Sequence, residues 1–215
     1  MALLVTDPDL QRRLLNERRR QDGADRFDEV WEGLYVMAPL PDNEHQEIQM
    51  NLGAAIVDAF GWDSSVLVRA GANVSDRDKD WTHNYRVPDV VVFLPGNPAL
   101  NHGTHWQGGP DFLVEIVSRG DRARKKLPFY AKVGVREVLI VNRKPWSLEH
   151  YAATGSPAVL QLVTTHNLGS ETEVRSGVLP MSFQLRPGIP RPRIQASLTG
   201  SQASEVTRGR TSWSI

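Results

Sequence analysis

The chain contains no cysteine, which excludes disulfides, thiolate metal sites and a cysteine nucleophile. It also lacks a charge imbalance. Its 25 lysines and arginines match its 25 aspartates and glutamates, so a polyanion has to be met by a local patch rather than by the field of the whole molecule. No apolar run approaches transmembrane length, and the N-terminus lacks a signal-peptide core followed by small residues. The expected location is the cytoplasm. Internal repeats are absent, and 215 residues fit one domain with tails and a sizeable core.

What is there divides into three stretches. Residues 1–22 read as a basic helix: Thr6 or Asp7 caps it, Pro8 and Asp9 open it, and Leu10, Leu14 and Leu15 share one side among five arginines. Such a helix is either a phosphate-contacting arm or a solvated element docked by its leucines. Residues 23–187 carry the periodic segments. Phe27 to Met37 reads as a hairpin turning at Glu32-Gly33, and Asn43 caps a helix from about Glu44 to Phe60 whose apolar positions recur every three or four residues. From 188 to 215 proline, serine, threonine and arginine dominate, and a disordered tail is expected. Strands crossed with two or three helices place the fold in the α/β class, bordering on α+β, with a mixed sheet.

The chemistry concentrates between Val87 and Asn142. Glu115 stands in Phe112-Leu113-Val114-Glu115-Ile116-Val117, a continuous apolar run of the kind a strand buried on both faces requires. An ionised carboxylate there loses its hydration, at a cost of several kcal/mol unless a cation or several donors replace the water. A bound metal ion is one replacement; a structural ion pair, or a side chain reaching the sheet edge, is the other reading. Asp89 opens a neighbouring apolar run, and Lys126 borders the apolar stripe of a helix bearing Leu127, Phe129, Tyr130 and Val133. Two carboxylates suit Mg²⁺ or Mn²⁺, to which the backbone carbonyl of Ile116 can be added. A lysine beside that ion can hold the attacking water or the scissile phosphate, as phosphodiester hydrolysis demands. Lys125 competes for this role but is expected, with Arg119, Arg122 and Arg124, on a phosphate-binding rim. His45, in a first helical turn with Glu44 and Glu47, either assists a metal or phosphate or serves as a surface or capping group. Asp76, Asp78 and Asp80 lack the glycine and distal glutamate of a calcium loop and read as a solvated loop.

Taken together, VPDVVVFL, PDFLVEIVS, KKLPFYAKVGVREVLIVN and LEHY resemble the Uma-type restriction endonuclease domain family, of the PD-(D/E)XK nuclease superfamily. The resemblance runs from about Phe27 to Leu185. It implies a restriction-endonuclease-like central mixed sheet flanked by helices, with an N-terminal hairpin, and a magnesium-dependent endonuclease acting on DNA. Asp89 and Glu115 would be metal ligands, with Ile116, and Asp89, Glu115 and Lys126 the catalytic set. Val117 stands where the wider superfamily has its lysine, and Lys126 on the following helix would take that place. His45, Glu47, Arg122 and Lys125 are the expected substrate contacts, and an additional acid is expected from Glu44, Glu47 or Glu32. A double-strand cut needs two sites, hence a homodimer. The competing expectation is a non-catalytic nucleic-acid-binding module on the same fold.

Overall fold

The computed structural model describes residues 3–20, with the Leu3 and Arg19 side chains excepted, then 25–38, 40–62, 64–118, 120, 122–200 and 210–215. In chain order the first elements are β1 (Leu3–Val5), α1 (Pro8–Arg20), the hairpin β2 (Glu29–Trp31) and β3 (Leu34–Met37), and α2 (Asn43–Phe60). Next come β4 (Leu67–Ala70), β5 (Val74–Ser75), β6 (Tyr85–Arg86), β7 (Val90–Phe93), β8 (Leu100–Asn101), β9 (Trp106–Gln107) and β10 (Phe112–Val117). After α3 (Ala123–Lys132) the chain adds β11 (Glu137–Arg143), β12 (Trp146–Thr154) and β13 (Val159–Asn167), and it closes with β14 (Val174–Arg175), β15 (Met181–Arg186), β16 (Arg193–Leu198) and β17 (Ser212–Ser214).

The central sheet has the order β13-β12-β11-β10-β7-β4, with β10 and β11 parallel and the other neighbours antiparallel. A parallel pair needs a crossover, and α3 provides it. Side chains of β10 alternate between two cores. Phe112, Val114 and Ile116 meet Ile48, Leu52 and Ile56 of α2, while Leu113 meets Phe129 and Tyr130 of α3. Both faces are therefore covered, which is why the strand reads as an unbroken apolar run.

The hairpin turn forms at Glu32 and Gly33, both with positive φ, as a tight two-residue connection requires. At Gly33 a Cβ would also come within 2.7 Å of the His83 ring. Gly109 is needed for another reason: it lies against the end of α3, and a Cβ there would meet the Val135 nitrogen at 2.9 Å. Asp42, not Asn43, caps α2, its Oδ1 accepting from the His45 N–H at 2.8 Å. Gly61 ends that helix.

α1 is docked. Asp7 caps it, Leu14 and Leu15 pack beside Val5, Val30 and Tyr35, and Arg18 pairs at 2.6 Å with the buried Asp28, while Leu10 stays exposed. The expected boundary near residue 22 falls outside the described residues. The disordered tail is corrected for most of its length. β16 pairs with β15 along six residues and with β17, and Ile194, Ala196, Trp213 and Ile215 are buried in the core that also holds α2. Alternate apolar residues in Arg193–Leu198 explain this, since each buries one face of a strand. Residues 201–209, part of the same expectation, lie outside the described residues.

Two buried ties join this C-terminal sheet to the rest. Trp213 donates from Nε1 to Asp58 of α2 at 2.8 Å. Glu137 of β11 accepts from Ser176 Oγ at 2.5 Å and the Gly177 N–H at 2.8 Å, with His150 Nε2 at 3.3 Å. Burial pushes the Glu137 pKa up, but His150, Ser176 and Gly177 outweigh it and hold the pKa below its ordinary 4.5. We predict that Trp213→Ala lowers the unfolding free energy by about 3–5 kcal/mol in urea titrations, as truncation of a buried aromatic does. A depressed carboxylate pKa contributes stability that is fully present above the unfolded value and is lost as pH falls through the folded one. Urea midpoints recorded downward from neutral pH should therefore fall below pH about 4.5, and less steeply in Glu137→Gln.

Candidate active site

Glu115 lies on the α3 side of β10 and is only 3% exposed. Lys126 and Tyr130, one helical turn apart on α3, present the same face to it. The Lys126 ammonium stands 3.0 Å from each carboxylate oxygen, and the Tyr130 hydroxyl donates to Oε1. A second acid comes from the hairpin: Glu29 of β2, also buried, holds Lys126 Nζ at 2.8 Å through Oε1. Glu29 accepts further from the Val87 N–H at 2.9 Å and from Trp31 Nε1 at 2.7 Å. Arg86 is sandwiched behind it, 4.7 Å from the Trp31 ring and 4.2 Å from that of Phe129. Burial lowers the Arg86 pKa, and the charge of Glu29 works against that shift. For Tyr130, burial and then the charges of Glu115 and Glu29 push the pKa well above the ordinary value, so the phenol keeps its proton and donates. Water lost by Glu115 is thus replaced by an ammonium and a hydroxyl, the ion-pair reading of the sequence.

Asp89 reaches the same place from β7. The antiparallel register pairs Val90 with Val114, and at the residue before the strand the Asp89 N–H still bonds the Val114 carbonyl at 3.1 Å, which holds Asp89 against β10. Its Oδ1 is 2.8 Å from His45 Nε2, and its Oδ2 accepts from the Ile116 N–H at 2.6 Å. His45 is buried, with Nδ1 3.3 Å from Ser118 Oγ. Arg143 fixes the start of α2: Nη1 bonds Asp42 at 2.7 Å and Glu44 at 3.1 Å, while Nη2 reaches Ser118 at 3.1 Å. The hydrogen bond from Arg143, ahead of the His45 N–H, lowers the Asp42 pKa.

These groups line one cleft of about 680 Å³, open mouth included, among them Glu29, His45, Asp89, Glu115, Ser118, Arg122 and Lys126. Its carboxylates are hard oxygen donors of the type Mg²⁺ takes, so the donor set fits that ion. The structure therefore brings Asp89, Glu115, Ile116, Lys126, His45 and Arg122 together. Other expected contacts are elsewhere. Glu47 is exposed and pairs with Arg191 at 3.1 Å and Arg193 at 3.4 Å. Lys125 is exposed, one position round the helix from Lys126 and absent from the cleft lining. Glu44 is taken up by Arg143, and Glu32 by Arg77 at 3.3 Å. Arg119 lies outside the described residues. Sequence reasoning missed Glu29, which follows another acid in a strand of only three residues and lacks the apolar neighbours on both sides that marked Glu115. It also missed Arg86, and read Tyr130 only as packing.

Comparison with known proteins gives the family and the fold. The Uma2 family model, described as "Putative restriction endonuclease", matches residues 15–187. A crystal structure described as a putative nuclease belonging to DUF820, from Anabaena variabilis, superposes with a TM-score of 0.57 at 17% identity, covering 75% of this chain and 88% of that one. At that identity the likeness concerns the fold. Among curated proteins nothing matches. Residues 15–187 include every side chain in the cleft, and the chain belongs to the Uma2 family.

Proposed function

We propose that this protein is a magnesium-dependent endonuclease that hydrolyses DNA phosphodiester bonds. The observation that carries the reading is the meeting of Asp89 and Glu115, from adjacent antiparallel strands, with the ammonium of Lys126 in one open cleft. Asp89 and Glu115 would hold the ion, which when bound supplies a Lewis acid for the phosphoryl oxygens and acidifies water. His45 and the Ile116 N–H fix both oxygens of Asp89, so its orientation is set before substrate arrives. Glu29 and Glu115 hold Lys126 at the cleft floor, where its ammonium can take a non-bridging phosphate oxygen or orient the attacking water. Arg122, on the cleft lining, would take a flanking phosphate. Cutting both strands needs two such clefts, which a two-fold homodimer would supply.

A second reading is a nucleic-acid-binding module without catalysis. One observation favours it: Glu115 already meets the Lys126 ammonium and the Tyr130 hydroxyl, and Glu29 the same ammonium with the Trp31 and Val87 N–H groups, so both acids have partners without an ion.

The readings part in two measurements. Calorimetry with Mg²⁺ or Mn²⁺ should show binding to the wild type and none to Asp89→Asn. With Mn²⁺ and supercoiled plasmid, Glu115→Gln and Lys126→Ala should nick at least about 100-fold more slowly, a barrier increase of roughly 2.7 kcal/mol. Equal cutting by the variants would assign the activity to a contaminant and leave the binding module. A third measurement concerns Lys126 itself. Lys126→Met strands two buried carboxylates, so unfolding free energy without metal should drop by about 3–5 kcal/mol. Millimolar Mg²⁺ should raise its urea midpoint more than that of the wild type.

A further inference from the structure

The polar loop after β5, dismissed above as solvated, meets the loop between β8 and β9. There Asp78, His102 and His105 place one donor atom each within 4.8 Å of one another. None of the three lines the cleft. We infer that Asp78, His102 and His105 form a second metal site, for a divalent transition ion such as Zn²⁺. This inference does not depend on the nuclease reading.

The donor set selects the ion. Two imidazoles and one carboxylate suit Zn²⁺ and its neighbours better than Mg²⁺, which takes oxygen. Each ring is also oriented from behind as a metal-bound histidine is. His105 Nε2 lies 3.2 Å from the Arg77 carbonyl, which can only accept, so the ring proton sits there and the Nδ1 lone pair is left over. Thr104 Oγ1, 3.1 Å from that Nδ1, is exposed and can turn away. His102 Nε2 is 3.1 Å from Gln107 Oε1, again an acceptor, and its Nδ1 faces Asp78 Oδ1 at 3.4 Å. A lone pair aimed at a carboxylate is repulsive unless a proton or a metal ion lies between.

Geometry and burial say which groups would move. A tetrahedral ion with bonds of about 2.0–2.1 Å needs its donors about 3.3 Å apart, so the cluster must tighten. His105 is buried and stacks between Trp81 and His102, each at 4.8 Å, whereas His102 and Asp78 are exposed, so it is the His102 ring that would turn out of its stack and Asp78 that would close on the ion. Both loops border the parallel pairing of β5 with β9, so a bound ion would tie them together.

The test titrates Zn²⁺ by calorimetry into metal-free wild type, Asp89→Asn and the double variant Asp78→Asn, His102→Ala, whose changes are both on exposed side chains. One tight equivalent is expected in the first two, and at least a tenfold loss of affinity in the double variant. Co²⁺ should give an intense visible absorption band of tetrahedral type that the double variant lacks. Absence of Zn²⁺ binding by the wild type would overturn the inference and leave a His102–Asp78 ion pair. So would equal affinity in the double variant, or loss of the site in Asp89→Asn, which would place the ion in the cleft.

Discussion

An acid buried in the middle of a fully covered strand has to be compensated, and much of this structure follows from how Glu115 is treated. Burial at 3% exposure costs far more than any single exposed ion pair returns. Lys126, Tyr130 and Glu29 therefore converge there, with Arg86 behind Glu29. None of them can change alone without leaving a charged or polar partner unmatched. The hairpin, the loop before β7 and the helix α3 are consequently held to one point, and the same point faces an open cleft. Of the groups that converge on the buried acid, Lys126 and Glu29 thereby also line the cleft.

The second half of the cleft is organised by backbone rather than by charge. Backbone pairing brings Asp89 against β10, its N–H on the Val114 carbonyl, and the Ile116 N–H that orients its carboxylate is left over where β7 stops pairing with β10. Arg143 does the remaining positioning from the end of β11. By binding the α2 cap and Ser118 together it sets the height of His45 against Asp89.

Much of this was legible in the residues. Glu115 announced itself because its neighbours are apolar on both sides, and Lys126 because it borders a helical stripe. Asp89 followed from its place at the head of Val90–Phe93. What was not legible has identifiable causes. Glu29 sits in a strand of three residues, too short for alternation to stand out, and its partners are 58 and 97 residues further along, at Val87 and Lys126. The C-terminal strands were hidden by composition. Prolines and polar residues dominate the window, yet Ile194, Ala196 and Leu198 alternate within it, and pairing with β15 needs only that. Glu47 looked like a site acid because it shares a turn with His45, but two positions along a helix turn a side chain to the far side.

Placing the ammonium on α3 instead of on β10 has a mechanical result. A lysine two residues beyond Glu115 would ride on the same backbone as the acid and keep its distance whatever the helix did. Here the cation is carried on a rod whose far end is wedged against Gly109, where no side chain fits. The distance from the ammonium to its two acids is thus set by how Phe129 and Tyr130 seat the helix on Leu113 of the sheet, not by a shared stretch of backbone.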